Sequence, residues 1–328
     1  MTSEAIGVSP QGMCLPFSDK TGKSEGVSPA CPLCESGRTI LVKRMDVQPL
    51  IENWNLRFGI DVSDEFRGVS VFELRECGRC SLRYFHPSVL AGSRQLYSQL
   101  SKLEWYYQPR KWEHEVALKD LRGCRKILEI GCGRGEFITQ ARQEMGLTVE
   151  GLEQNADAVE EAQRRGLQLE RGNIRELAER YPAQYDAVCS FQVLEHVAFP
   201  LDFLKCCLAL LRPGGKLVFG VPNADSFLRY QLNLLDMPPH HMTRWSAQVL
   251  SFLPQLLPVG LQAIRFEPLA PYHIKSYLDA HLSRLEPHRV VRHLRHRLLK
   301  GCLAKALELS RGRRLFRGHA LYASFVRI

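Results

Sequence analysis

The sequence lacks any long apolar run. No apolar stretch approaches the roughly 20 residues that a bilayer span needs, and the longest candidate, Val249 to Leu261, is broken by Gln255 and two prolines. The N-terminal residues contain no basic segment leading into an apolar one, as a secretory signal would. We therefore expect a cytoplasmic protein.

Positive and negative charges balance over most of the 328 residues. Segment 284–317 holds nine arginines, two lysines and two glutamates, so it alone accounts for the net charge of +9. Internal repeats are absent as well. The 45% of hydrophobic residues suffices for a compact core and excludes a mostly disordered chain.

Composition divides the chain into four parts. Residues 1–29 are rich in Ser, Gly, Pro and Lys and predict a disordered tail. A cysteine-bounded module follows over 30–90, then a helical cap or linker over 91–122. The main domain is expected over 123–328, with a basic helical insertion at about 272–317 before the last strand.

Short apolar runs alternate with helix-period segments in the main domain. The predicted strands are KILEIG (126–131), TVEGLE (148–153), LQLERG (167–172), YDAVCS (185–190), KLVFGVP (216–222), LQAIRFEP (261–268) and HALYASFVRI (319–328). Strands separated by helices predict an α/β fold whose parallel sheet has helices on both faces.

A glycine-rich turn follows the first of these strands. Gly131, Gly133 and Gly135 would let a backbone approach a ligand closely, and Glu153 at the end of the next strand could accept hydrogen bonds from a ribose. The spacing is GxGxG, preceded by Glu129, and not the GxGxxG that surrounds a pyrophosphate. These residues favour a ligand with adenosine and no diphosphate. A tight turn without a ligand is the alternative.

Five motifs together carry a family resemblance. In order they are LEIGCGRGEF (128–137), GLEQN (151–155), RGNI (171–174), YDAVCSFQVLEHV (185–197) and LLRPGGKLVFGVPN (210–223). This set resembles the class I S-adenosylmethionine-dependent methyltransferases. The resemblance implies a Rossmann-like seven-stranded sheet whose last two strands form an antiparallel hairpin at the edge, and S-adenosylmethionine as cofactor.

The same resemblance implies a set of cofactor-binding residues. For the methionine part it implies Glu129, Gly131, Cys132, Gly133 and Gly135; for the ribose, Glu153; for the adenine, Asn173 and Ile174; and beside the methionine, Ser190 and Phe191. Asn173 replaces the family's usual aspartate but can still bond the adenine amine.

Four cysteines are spaced as metal ligands. Cys31 and Cys34 form one CxxC pair, and Cys77 and Cys80 form a second. Four thiolates around one tetrahedral zinc leave no open position, so we expect one structural zinc in a zinc-ribbon-like hairpin. Unmetallated turns or a redox CxxC are the alternatives. Bacterial sugar and secondary-metabolite methyltransferases often begin with a similar module beside the substrate cleft.

Histidines are the candidate bases, because methyl transfer often requires removal of a proton from the acceptor. We expect His241 first and His240 second, in MPPHHMTRWS (237–246), with loop fixation as their alternative role. His196 in QVLEHV either packs or acts as a base. Some methyltransferases of ubiquinone synthesis coordinate a metal around a related acidic LEH segment, but Gln192 stands where a carboxylate would be wanted, so we predict no catalytic metal.

Two further segments allow two interpretations each. The aromatic stretch from Tyr97 to Trp112 either packs on the sheet or forms a lid and stacking surface. Apolar residues recur every four positions from Val290 to Ala306, which predicts an amphipathic basic helix. Such a helix either packs on the core or presents residues 284–317 to an anionic membrane surface. Binding of nucleic acid is a weaker alternative, since no RNA-binding module accompanies the segment.

The sequence thus predicts a methyltransferase acting on oxygen or carbon of a sugar, glycan or secondary-metabolite intermediate, free or lipid-linked. An RNA methyltransferase is one alternative. A non-catalytic, cofactor-binding regulatory subunit is the other.

Overall fold

The computed structural model describes residues 29–230, 233–282, 301–307 and 311–328. The predicted tail therefore lies almost entirely outside the described residues. So does most of the predicted amphipathic helix. Residues 301–307 are helical, and Ala304 and Leu307 pack against an apolar cluster that includes Ile274 and Leu278. This part of the basic segment packs on the protein.

The main sheet has seven strands. They are β4 (Ile127–Ile130), β5 (Val149–Glu153), β6 (Leu169–Arg171), β7 (Tyr185–Phe191), β8 (Leu211–Pro222), β10 (Val259–Pro268) and β11 (Arg317–Arg327), in the spatial order β10-β11-β8-β7-β4-β5-β6. Strand β11 is antiparallel to both β8 and β10, and the remaining pairs are parallel. The predicted seven-stranded sheet with an antiparallel hairpin at its edge is confirmed.

Helices cover both faces of this sheet. The α-helices of the described residues are, in chain order, α1 (Gln48–Phe58), α2 (Arg94–Leu100), α3 (Trp112–Asp120), α4 (Glu136–Met145), α5 (Ala156–Arg164), α6 (Ile174–Arg180), α7 (Pro200–Leu210), α8 (Ala247–Phe252) and α9 (Ile274–Leu282). Helices α3, α4 and α5 pack on one face, and α6, α7 and α8 on the other. Alternate strand residues serve the two layers: Val218 faces the first, whereas Leu217 and Phe219 face the second.

The N-terminal part forms a second, antiparallel sheet. Its strands are β1 (Thr39–Asp46), β2 (Val71–Cys77), β3 (Arg83–His86) and β9 (Thr243–Arg244), paired in the order β1-β2-β3-β9. The first three form the predicted cysteine-bounded module. Strand β9 comes from the main domain, directly after the His240–His241 pair, and sequence analysis did not foresee it. The predicted domain boundaries stay predictions.

The segment between His241 and Trp245 holds the two sheets together. The Met242 N–H donates to the Glu195 carbonyl at 2.8 Å, and the Met242 carbonyl accepts from the Phe85 N–H at 2.9 Å. The buried Thr243 hydroxyl donates to the Leu194 carbonyl at 3.1 Å. It also accepts from the Trp245 indole N–H at 2.9 Å. Trp245 is fully buried, so its N–H depends on this acceptor.

No helix among the described residues is both long enough and apolar enough to cross a membrane.

Replacing Thr243 with valine tests this anchor. Thr243→Val keeps the side-chain shape but leaves the buried Trp245 N–H without its acceptor, whereas the Leu194 carbonyl still accepts from the Val197 N–H at 3.3 Å. We expect the free energy of unfolding, measured by urea denaturation, to fall by about 1–3 kcal/mol. The control is Thr148→Val at an exposed position, which should change it by less than about 0.5 kcal/mol. Equal effects would show that the hydroxyl is not an anchor.

Candidate functional site

One large cavity opens at the carboxyl ends of the parallel strands. Its volume is about 1620 Å³, and its wall includes the last residues of four strands, Ile130, Glu153, Phe191 and Pro222. Ligands of open α/β sheets bind at this edge. The cavity extends from the glycine turn after β4 to the three histidines 196, 240 and 241.

The glycine turn leaves no room for side chains. Gly131 and Gly133 line the cavity in left-handed conformations, with φ of 70° and 54°. A Cβ at Gly133 would lie 2.7 Å from the Tyr107 ring, and one at Gly131 would lie 2.4 Å from Val193. Gly135 is not part of the cavity wall and packs against Leu167 at the start of α4. The turn therefore presents bare backbone to the cavity.

Glu153 is fixed at the mouth of this turn. One carboxylate oxygen accepts from the Gly133 N–H at 2.9 Å. The other accepts from the N–H groups of Gln154 and Asn155 at 2.7 and 2.9 Å. These bonds occupy three of about four acceptor positions of the carboxylate, so Glu153 both orders the turn and faces the cavity.

Glu129 lies deeper in the same wall. It is 3% exposed, and its Oε2 has no hydrogen-bond partner among the described residues. Burial raises the pKa of Glu129 to about 8. A buried carboxyl group without a partner, facing a cavity, is a typical feature of a binding site.

The other predicted cofactor residues divide into two groups. Cys132, Asn173, Ile174 and Phe191 line the cavity, whereas Ser190 lies buried behind the wall. The Asn173 Oδ1 accepts from the Arg175 N–H at 2.7 Å and caps helix α6. One lone pair and the NH₂ group of Asn173 remain available to a ligand.

The aromatic stretch closes the wall between the two ends of the cavity. Tyr107 lies against the glycine turn, and its ring is 5.3 Å from the Arg134 guanidinium. The Tyr97 hydroxyl donates to the His240 carbonyl at 3.2 Å, and the Tyr106 hydroxyl lies 3.2 Å from His240 Nε2. These side chains therefore pack and line the cavity at once.

The three candidate histidines meet in one cluster. The ring centroid of His196 lies 4.5 Å from that of His240 and 4.8 Å from that of His241. The His240 and His241 rings stack with their centroids 4.6 Å apart. His196 Nδ1 lies 2.7 Å from the His240 carbonyl, and His240 Nδ1 lies 2.8 Å from the Leu235 carbonyl. Burial lowers the pKa of His196 to about 4 and those of His240 and His241 as well. All three imidazoles are thus neutral near pH 7.

Two carboxyl groups that the sequence analysis missed flank this cluster. Asp236 Oδ1 lies 3.5 Å from His241 Nδ1, and Glu195 Oε1 lies 4.0 Å from His241 Nε2. Burial raises the pKa of Glu195 to about 8 and also raises that of Asp236. Glu195 directly precedes His196 in the LEH segment, and this adjacency was the sequence signal that could have identified it as a site residue. No such sequence signal exists for Asp236, whose contact with His241 is formed only by the folded loop.

The four cysteines of the N-terminal module also converge. All four are buried, and the Sγ atoms lie within 4.8 Å of one another. The Cys31 and Cys80 sulfurs are 3.6 Å apart, and those of Cys34 and Cys77 are 3.4 Å apart. Four soft sulfur donors at these separations can hold one metal ion. Strand β3 leads from this cluster to His86 in the cavity wall.

Comparison with known proteins bears on the family of this chain. Residues 104–261 match a family described as a methyltransferase domain. A ubiquinone biosynthesis O-methyltransferase from Bordetella avium is 30% identical over 184 residues, covering 51% of this chain and 75% of the relative. One from Klebsiella pneumoniae is 32% identical over 107 residues, and the chain spans only 44% of its length. The chain belongs to the S-adenosylmethionine-dependent class I methyltransferases.

Among solved structures, a S-adenosylmethionine-dependent methyltransferase from Archaeoglobus fulgidus matches with 21% identity and a TM-score of 0.42. The match covers 65% of this chain and 94% of that one.

The close approach of Tyr107 to the turn can be measured. Gly133→Ala combines an unfavourable φ, worth about 1–2 kcal/mol, with a clash against the Tyr107 ring. Gly146→Ala is the matched control, because it has a φ of 64° and nothing within 4 Å of its Cβ position. We expect Gly133→Ala to lower the free energy of unfolding more than the control does.

Adding Tyr107→Ala to the Gly133→Ala chain should remove the excess, since only the backbone cost would remain. Equal losses for the two glycine variants would mean that Tyr107 does not press on the turn.

Proposed function

We propose that the protein transfers a methyl group from S-adenosylmethionine to an oxygen or carbon atom of a sugar, glycan or secondary-metabolite intermediate. The observation that carries this proposal is the single cavity that joins the glycine turn to the histidine cluster. Its volume of about 1620 Å³ exceeds the roughly 300–1,000 Å³ of a pocket for one small ligand. It has room for a cofactor and an acceptor side by side.

At the cofactor end, each residue would have a separate role. Glu129 would bind the α-ammonium group of the methionine part, and the backbone of the glycine turn would cradle that part. Glu153 would accept hydrogen bonds from the ribose hydroxyls with its remaining acceptor position. Asn173 and Ile174 would frame the adenine, and Phe191, in front of the buried Ser190, would contact the methionine chain.

At the acceptor end, neutral imidazoles are suited to accept a proton. His240 has both ring nitrogens within hydrogen-bonding distance of fixed partners, Leu235 and Tyr106. A loop-fixing role therefore suits His240. His241, between two carboxyl groups, and His196, whose Nε2 is not taken up by the bond at Nδ1, remain the candidate bases.

The charge of the wall indicates the kind of acceptor. Eight Asp and Glu side chains and four Lys and Arg side chains line the cavity. Burial raises the pKa of four of these acidic groups, Glu129, Glu195, Asp236 and Glu267, and the wall as a whole carries no excess of positive charge that would attract phosphate groups. It supports a small polar acceptor over RNA, whose binding depends on phosphate contacts. A cytoplasmic location and membrane contact through 284–317 remain predictions of the sequence.

Binding of S-adenosylhomocysteine tests the function through the pKa of Glu129. The carboxyl group must lose its proton to bind the ammonium group, and its raised pKa of about 8 makes this costly below pH 8. The calorimetric affinity should therefore rise by up to about tenfold per pH unit from pH 6 to 8 and then level off.

Glu129→Gln should bind weakly with a flat pH profile. Glu195→Gln is the control, because its carboxyl has a similarly raised pKa but lies at the acceptor end, so the slope should persist. Absence of any binding by the unmodified protein would contradict both the enzyme proposal and the regulatory alternative.

The cysteine cluster yields a separate expectation, one sulfur-coordinated zinc per chain. X-ray absorption with elemental analysis should find it in the unmodified protein. Cys77→Ser should lose the ion and unfold β1 to β3, because binding of a structural zinc is coupled to folding. Cys302→Ser, at an exposed cysteine, should retain both. A folded, zinc-free protein would exclude a structural metal.

A further inference from the structure

Two chain segments bring three imidazoles together at the acceptor end of the cavity. His196 ends the short 3₁₀ turn Leu194–His196 after β7, and His240 and His241 arrive on the loop before β9. One ring nitrogen from each lies within 4.8 Å of the other two. Three neutral imidazoles in contact, in a buried wall, form a cluster of electron-pair donors.

Each of the three rings has an oxygen acceptor near its Nδ1 atom. His196 Nδ1 and His240 Nδ1 each point at a backbone carbonyl, at 2.7 and 2.8 Å. His241 Nδ1 lies 3.5 Å from the Asp236 carboxylate. A histidine that binds a metal almost always donates its other N–H to a carbonyl or carboxylate in this way. The arrangement leaves Nε2 of each ring as the donor toward a ligand.

Glu195 supplies a second, independent observation. Its side chain is 2% exposed, and neither carboxylate oxygen has a hydrogen-bond partner among the described residues. Oε1 lies 4.0 Å from His241 Nε2, so the carboxyl group faces the same cluster. A buried carboxyl without a partner calls for a missing ion or water. The cluster itself offers no positive charge, because its imidazoles are neutral.

We propose that His196, His240, His241 and Glu195 bind one divalent transition-metal ion. Three imidazoles and one carboxylate suit Zn²⁺, Fe²⁺, Co²⁺ or Ni²⁺ and not Mg²⁺ or Ca²⁺, which prefer oxygen ligands. Tetrahedral bonds of about 2.1 Å place the donors about 3.4 Å apart, so the rings must close inward. The Tyr106 hydroxyl, now 3.2 Å from His240 Nε2, would give way to the ion.

This ligand set differs from the acidic one considered for the LEH segment. The Gln192 amide donates to Glu113 Oε1 at 2.9 Å and is committed there. The carboxylate missing at position 192 is replaced by two histidines from a loop 44 residues beyond His196. The inference thus departs from our expectation that no metal acts at this site.

The consequence for chemistry rests on the proposed function. An ion in this wall would polarise an acceptor hydroxyl and lower its pKa, which is how bound metals activate oxygen nucleophiles. The histidines would then bind the ion and no longer act as free bases. Asp236 would be a positioning residue, since it would act on the ion through His241, whose Nδ1 lies 3.5 Å from its carboxyl oxygen.

Cobalt binding tests the proposal without knowledge of the acceptor. The protein is treated briefly with EDTA, its zinc content and circular dichroism spectrum are checked so that the cysteine site stays filled and the module folded, and it is then titrated with Co²⁺. Nitrogen- and oxygen-ligated Co²⁺ shows visible d–d absorption without the thiolate charge-transfer band of a cysteine site. We expect one such site in the unmodified protein, and Mg²⁺ in excess should not displace the Co²⁺.

Variants assign the ligands. His196→Gln and His241→Gln should each weaken this Co²⁺ site by roughly a hundredfold or more, and Asp236→Asn by roughly ten- to a hundredfold. His273→Gln is the matched control, because His273 is another histidine in the wall of the same cavity. It should bind Co²⁺ normally.

Absence of the nitrogen-ligated site in the folded protein would overturn the proposal. So would equal losses in His273→Gln and His241→Gln, or displacement of Co²⁺ by Mg²⁺. Calorimetry with S-adenosylhomocysteine separates the two levels of the argument. Cofactor binding without Co²⁺ binding rejects only the metal, and Co²⁺ binding without cofactor binding rejects only the methyltransferase function.

Discussion

The peptide groups of Met242 join the two sheets of this protein. Its N–H bonds the Glu195 carbonyl, beyond the end of β7, and its carbonyl accepts from Phe85 in β3. His240 and His241 immediately precede this residue, so the same two bonds that tie the N-terminal module to the main domain also set the position of the histidine pair. The acceptor end of the cavity therefore depends on both parts of the chain.

The core follows this arrangement. Met237 and Met242 pack among residues of the N-terminal module, including Trp54 and Phe85. The four cysteines pack in the layer that covers one face of the seven-stranded sheet. Each part thus completes the other's hydrophobic core, and an ion held by the cysteines would stabilise the module whose edge strand pairs with β9.

The cavity places an unpaired buried carboxyl group at each end. Glu129 and Glu195 each have a pKa raised to about 8 by burial. Leaving such groups without partners costs stability, and a fold that retains them in a cavity wall is prepared for a positively charged ligand. The α-ammonium group of the cofactor at Glu129 and a metal ion at Glu195 would each provide the positive charge that these carboxyl groups lack.

Local pattern in the sequence determined the strands, the glycine turn and the acidic residue at the end of β5. Hydrophobic period and glycine spacing act over a few residues, and the three glycines of the GxGxG turn adopt the left-handed conformations that glycine readily takes between a strand and a helix. Pairing of the cysteines into one cluster also followed from CxxC spacing. Tertiary structure alone decided that β9 joins the N-terminal sheet, that His196 meets His240 and His241, and that Glu195 and Asp236 flank them. Those contacts join residues far apart in the chain through backbone pairing and shared burial. The periodicity of a sequence reflects only local structure, so it does not indicate which distant segments will contact each other.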